Sequence, residues 1–138
     1  GFEKITIANR TLPRAIELRE IFGEPCCSIS YEDIGEAEKS ASIVINTTSV
    51  GMVGTELENE TPLSLSGFGK DTIVNDIVYT PLITPFLHEA KTRGMKTVDG
   101  LGMLLHQAVP GFEKWFGVRP EVTPELRAIL LADLGETQ

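Results

Sequence analysis

At 138 residues, 41% of them apolar, the chain fits one domain with a filled core. Twenty acidic residues outweigh twelve basic ones, giving a net charge of −8, and a nucleic-acid partner needs the opposite balance on at least one face. The longest apolar runs, such as residues 41–45, are strand-sized, so no membrane partner is expected, and no secretory leader is expected either. Short, near-continuous apolar runs predict strands over residues 4–8, 27–30, 43–46, 73–76 and 96–98. After the first strand, residues 12–22 form a helical pattern with Ala15, Leu18 and Phe22 on one face, closed by Gly23. The adjacent Cys26 and Cys27 would make a strained vicinal disulfide, so reduced, partly buried thiols in a cytoplasmic protein are expected. Residues 53–66 read as a long polar loop. Thr84-Pro85 and Thr123-Pro124 each place a capping hydroxyl before a helix-starting proline. The first of these helices should run to Arg93 and stop at Gly94, and the second should turn Leu126, Ile129, Leu130 and Leu134 inward. Strands alternating with helices in this way imply an α/β fold, a parallel sheet flanked by helices.

Four clusters sit at the carboxyl ends of those strands, where such sheets hold their ligands. Asn9-Arg10-Thr11-Leu12-Pro13-Arg14 follows the first strand and opens the first helix. In a dinucleotide-binding βαβ unit an acidic residue at the position of Asn9 selects the free ribose 2′-hydroxyl; a neutral Asn9 beside Arg10 and Arg14 suits a 2′-phosphate instead. Thr11 can cap the helix, whose free N–H groups face the same anion. The hexapeptide alone fits an exposed turn with solvated arginines equally well.

Asn46-Thr47-Thr48-Ser49-Val50-Gly51-Met52 follows the third strand, and its small residues let backbone approach a cofactor or simply form a hydrogen-bonded turn. Asn75-Asp76-Ile77-Val78-Tyr79 ends the fourth, presenting a tyrosine for a substrate or for packing. Asp99-Gly100-Leu101-Gly102-Met103-Leu104-Leu105-His106-Gln107-Ala108 runs from the last strand into a helix. Its glycines permit close contact with a flat ring, Met103 offers a soft apolar surface, and Gln107 can both donate to and accept from a hydroxyl. Met103 and Gln107, four residues apart, share a face, and Pro110 should kink or interrupt the helix just beyond them.

In order and spacing these clusters resemble the C-terminal half of shikimate dehydrogenases, from about residue 3 to about residue 134. The family's N-R-T-x-x-R-A is matched by Asn9 to Ala15, and its N-A-T-S-x-G-M by Asn46 to Met52 with Thr47 in place of Ala. Its D-x-x-Y stands at Asp76 to Tyr79, its T-P-F-L at Thr84 to Leu87, and its D-G-L-G-M-L-x-x-Q-A intact from Asp99 to Ala108. The resemblance implies a Rossmann-like NADP-binding domain, including the C-terminal helices, of an enzyme that reversibly reduces 3-dehydroshikimate to shikimate in aromatic amino-acid biosynthesis. It further implies that Asn9, Arg10, Thr11 and Arg14 clasp the adenosine 2′-phosphate and that Thr47 and Ser49 line the cofactor groove. Ile77, Gly100 and Met103 would meet the nicotinamide end, and Tyr79 and Gln107 the substrate.

The family pattern also includes parts with no counterpart in this sequence. A glycine-rich pyrophosphate loop and its strand would precede residue 1, and the catalytic Lys and Asp would lie in an N-terminal substrate domain. The expectation is therefore a partial NADP-binding domain over residues 1–138, inactive alone, with no catalytic residue and no metal site of its own. His88 and His106 read as ordinary surface or core histidines. A quinate/shikimate dehydrogenase using NAD(P), or a non-catalytic nucleotide-binding module, fits the same residues. Without the central strand, the strands at 4–8 and 43–46 would keep unpaired edges, so self-association is expected.

Overall fold

The structure, a computed structural model, describes residues 1–135 in two compact units. The first comprises residues 1–41 with 66–69, and the second residues 42–65 with the chain from Lys70 onward.

In the first unit, β1 (Ile5–Asn9) and β2 (Cys26–Ser30) pair in parallel, Ile5 opposite Cys26 and Asn9 opposite Ser30. The connecting helix α1 (Leu12–Phe22) lies against both strands. It ends at Gly23, whose φ of +64° suits glycine and whose N–H reaches the Arg19 carbonyl at 2.8 Å. Two expectations fail here. Thr11 does occupy the N-cap position, but its side chain makes no capping bond; instead its own N–H donates to Asn9 Oδ1 at 2.8 Å, an Asx turn that orders the strand-to-helix corner from the other side. Of the apolar face read for α1, only Ala15 is buried, while Leu18 and Phe22 are exposed. A helix about 10 Å across is wider than two strands about 4.8 Å apart, so this sheet covers only its central stripe. A single helical turn, α2 (Gly35–Glu38), follows, unforeseen from sequence.

In the second unit, β3 (Ile43–Asn46), β4 (Ile73–Asp76) and β5 (Lys96–Val98) form a parallel sheet in that order. The strands are parallel as expected, but they form two sheets rather than one, with β1 and β3 each paired on one side among the described residues. Helix α3 (Pro85–Thr92) starts at Thr84, whose hydroxyl oxygen accepts from Leu87 N–H at 3.3 Å, and Gly94 at φ +73° turns the chain into β5. Phe86, Leu87 and Ala90 of α3 are buried with Val74 and Leu65. Each such large side chain contributes about 1.5–3 kcal/mol by leaving water.

The last two helices form a hairpin. Helix α4 (Gly100–Phe116) is capped by Asp99 and closed by Gly117 in the left-handed region, and α5 (Pro124–Asp133) is capped by Thr123. Leu101, Leu105 and Leu131 form a buried cluster, with Leu82, Leu104, Val122, Leu130 and Leu134 packed around it. Leu130 and Leu134 thus turn inward as expected, but Leu126 and Ile129 are exposed. The inner face of α5 is centred on Arg127 and Leu131, one turn apart, which leaves Ile129 on the far side. Pro110 does not interrupt α4, which continues to Phe116. Buried Leu105 and Val109 anchor the helix beside it. The apolar stripe of α4 outlasts its cover: after buried Leu101, Leu105 and Val109 come Phe112, 42% exposed, and Phe116, 64% exposed, their rings tilted at 41° with centroids 4.5 Å apart, beside Trp115 at 80%.

Candidate functional site

Strand β3 is apolar until its last residue and β4 over its first two, and at their ends two polar side chains meet in register, Asn46 opposite Asp76. Both are buried. Asp76 Oδ1 accepts from Asn46 Nδ2 at 3.0 Å and from Val78 N–H at 3.0 Å, while Oδ2 accepts from the Thr84 hydroxyl at 2.7 Å. Asn46 in turn accepts from the Thr48 N–H and hydroxyl, at 3.0 and 2.7 Å, and donates to the Val50 carbonyl at 3.2 Å. A buried carboxyl group is costly unless its oxygens find donors; here three donors from the ends of two strands and the start of a helix converge on it. The consequence is positional: the loop 47–52, the segment 77–79 and the first turn of α3 are tied to one side chain.

Within that frame the residues singled out from sequence fall as follows. Thr47 and Ser49 are exposed, whereas Thr48 is spent on the network. Gly51 sits at φ +86°, and its N–H closes the following loop on the Leu57 carbonyl at 2.8 Å. Ile77 extends the β3–β4 ladder by donating its N–H to the Asn46 carbonyl at 3.1 Å, and Tyr79, two residues on, is exposed. Gly100 is buried against the backbone of Ile77 and Val78 so closely that a Cβ there would collide with both carbonyls. That contact joins the start of α4 to the end of β4. Met103 is half-buried and Gln107, one turn further, is exposed. Ile77, Tyr79, Gly100, Met103 and Gln107, with Thr47 and Ser49, therefore all belong to the second unit.

Asn9, Arg10, Thr11 and Arg14 belong to the first unit. Arg10 and Arg14 are exposed and enter no salt bridge among the described residues, whereas Arg19, Arg93, Arg119 and Arg127 all do. The first turn of α1 contains no acidic residue. Two uncompensated guanidinium groups beside a helix N-terminus form a donor set suited to a dianionic phosphate. On this observation the residues present fit a 2′-phosphorylated dinucleotide. His88 and His106 are both exposed. Among the described residues no cluster of three His, Cys, Asp or Glu is arranged to hold a metal, and no helix is long and apolar enough to cross a membrane.

Nearly the whole chain is similar to known proteins. The family described as shikimate 5′-dehydrogenase C-terminal domain matches residues 100–130, which span α4 and most of α5. The NADP(+) shikimate dehydrogenase of Bartonella henselae is 52% identical over 99% of this chain, and the match covers 47% of that protein. The chain is similar to the C-terminal part of shikimate dehydrogenases. It spans about half the length of the curated relatives it matches. Among solved structures, the quinate dehydrogenase of Corynebacterium glutamicum in complex with NAD is similar with a TM-score of 0.82, at 30% identity over 96% of this chain and 47% of that one. The shikimate 5-dehydrogenase of Thermus thermophilus, in complex with NADP(H) and shikimate, is similar with a TM-score of 0.77, at 33% identity over 97% of this chain and 47% of that one. These neighbours place both units in a Rossmann-like α/β fold.

Sequence reading quoted Asn46 and Asp76 as motif letters without seeing that they bond to each other. The available signal was a polar residue closing each of two strands that begin apolar. Arg127 was missed altogether: its guanidinium binds Asp99 across 28 residues of sequence, and no local pattern announces that pair.

Proposed function

We propose that the chain is the NADP-binding part of a shikimate dehydrogenase, which reversibly reduces the ketone of 3-dehydroshikimate to the alcohol of shikimate in the cytoplasm. The observation that carries this reading is the pair Arg10 and Arg14, exposed, in no salt bridge among the described residues and set at the start of α1 behind a neutral Asn9. Their task is to hold the adenosine 2′-phosphate, with Asn9 shaping the corner through its bond to Thr11 N–H. NADP(H), when bound, supplies the hydride. Thr47 and Ser49 offer hydroxyls to the cofactor, Ile77, Gly100 and Met103 give its nicotinamide a close, largely apolar seat, and Tyr79 and Gln107 present a hydroxyl and an amide to the polyol. The family resemblance assigns proton transfer to a Lys and an Asp of an N-terminal substrate domain, and the role proposed for this chain is to orient the reactants.

Calorimetric titration with 2′,5′-ADP and with 5′-AMP tests the reading. Binding at least about tenfold tighter for the 2′-phosphorylated compound is expected, since a charge-assisted bond contributes about 1.5–3 kcal/mol. Equal affinities would refute it. A quinate dehydrogenase is the second reading, favoured by the TM-score of 0.82 to a quinate enzyme. Assay of an enzyme carrying this chain with shikimate and quinate, each against NADP and NAD, separates the two.

A further inference from the structure

An N-cap aspartate needs only one oxygen to satisfy a helix's first turn, and the other ordinarily faces water. Asp99 uses both. Its Oδ1 accepts from Leu101 N–H at 3.1 Å, capping α4, and its Oδ2 accepts from Arg127 Nη2 at 2.6 Å, an ion pair with side chains only 24% and 34% exposed. Arg127 stands on the inner face of α5, one turn before Leu131, which is packed against Leu101 and Leu105. The same end of α4 is pressed, through Gly100, onto the backbone of Ile77 and Val78, where there is no room for a Cβ. The first turn of α4 is thus fixed from two sides, by β4's exit segment and by a charge on the last helix. Met103 and Gln107 follow one and two turns along the rod set by that first turn.

We propose that Arg127 is a positioning residue: by holding the second oxygen of Asp99 it sets the start of α4 against residues 77–78, and so places Gly100, Met103 and Gln107 for the nicotinamide and the polyol. The proposal rests on the functional reading above for the identity of those ligands, but the hold on Asp99 is independent of it. A displacement of about 1 Å at such a site is enough to cost about a hundredfold in rate, which is why a remote clamp matters.

The test compares Arg127→Met, which keeps the length and loses the charge, with Arg127→Lys and with Asp99→Ser, which keeps a capping oxygen and loses the partner for arginine. Amide exchange at Leu101, followed by NMR on the 138-residue chain, should quicken at least about tenfold in Arg127→Met and in Asp99→Ser and return most of the way in Arg127→Lys. In parallel, NADP+ should cease to perturb the Gly100 and Met103 resonances in the first two variants, while 2′,5′-ADP, which reports on Arg10 and Arg14 alone, should bind all four proteins equally. Unchanged Leu101 exchange in both Arg127→Met and Asp99→Ser would overturn the proposal, as would parallel losses of NADP+ and 2′,5′-ADP binding, the mark of a general structural defect. If the unsubstituted chain binds neither compound, the functional reading falls, and Leu101 exchange decides the positioning role by itself.

Discussion

Asn46 and Asp76, the last residues of two paired parallel strands, are joined by a buried hydrogen bond of 3.0 Å. Removing the amide by Asn46→Ala leaves a buried carboxyl oxygen one donor short and frees the 47–52 loop from its anchor. The expected loss of stability is about 2–3 kcal/mol, read as a lower urea midpoint at unchanged slope. A loss under about 0.5 kcal/mol would mean that water replaces the amide and that the network does not fix the loop.

Two glycines of α4, two residues apart, should behave in opposite ways. A methyl group at Gly100 meets the Ile77 and Val78 carbonyls, whereas one at Gly102 meets nothing within 4 Å. Gly100→Ala is expected to destabilise by at least about 1–3 kcal/mol, and Gly102→Ala to be neutral or to stabilise by about 0.5–1 kcal/mol through helix propensity. Thermal melts of the two variants side by side check this, and similar shifts in both would contradict the close seat described for Gly100.

Cofactor choice should reside in Arg10. Arg10→Ala is expected to weaken NADP+ binding at least about tenfold and leave NAD+ binding little changed, because only the former presents a phosphate to that guanidinium. Calorimetry with both dinucleotides decides the point; equal effects sink the 2′-phosphate assignment.

Acid should loosen the start of α5. The Glu125 carboxyl is held below the ordinary glutamate value by its own backbone N–H and by the Thr123 hydroxyl. A depressed folded-state value means that the stabilisation is present above the unfolded-state value and is lost as pH falls through the folded one. Thr123→Val removes both the cap and the hydroxyl bond, so its Glu125 should titrate higher, and the acid-dependent part of the difference between variant and parent should vanish at low pH. NMR titration of the Glu125 side chain gives the shift directly, and an unmoved midpoint would refute the assignment to Thr123.

Among the described residues strands β1 and β3 each end a sheet, and Ile5 and Ile45 on them are exposed. Unpaired parallel edges with β-branched side chains invite pairing with another chain. The 138-residue chain is therefore expected to scatter light as a dimer or larger species at micromolar concentration, and Ile45→Lys should shift it towards monomer. A clean monomer before substitution refutes the expectation.

The local code was legible wherever one residue type has one physical use. β-branched runs marked β3, β4 and β5 to the residue, and Gly23, Thr84, Gly94 and Thr123 marked helix ends. What failed was everything that depends on which surface an element meets. Leu18 and Phe22 have helical spacing, but a two-stranded sheet covers only Ala15. Pro110 was expected to kink or interrupt its helix, and the interruption is what does not occur: buried neighbours accompany α4 past it. Arg10 and Arg14 stood out because their spacing is local, while the ties Asn46 to Asp76 and Asp99 to Arg127 close over 30 and 28 residues and become visible only in three dimensions.

The bare end of the α4 stripe has a practical side. Trp115 is the single tryptophan of the chain, and it stands 80% exposed beside the Phe112–Phe116 ring pair. Its fluorescence is therefore an intrinsic optical gauge of that face: red-emitting and open to quenchers while the aromatic stripe is wet, blue-shifted and shielded once any surface dries it. Because Tyr79 and the two arginines lie on other segments, the same gauge reads events at the end of α4 without labelling or altering any residue proposed to touch a ligand.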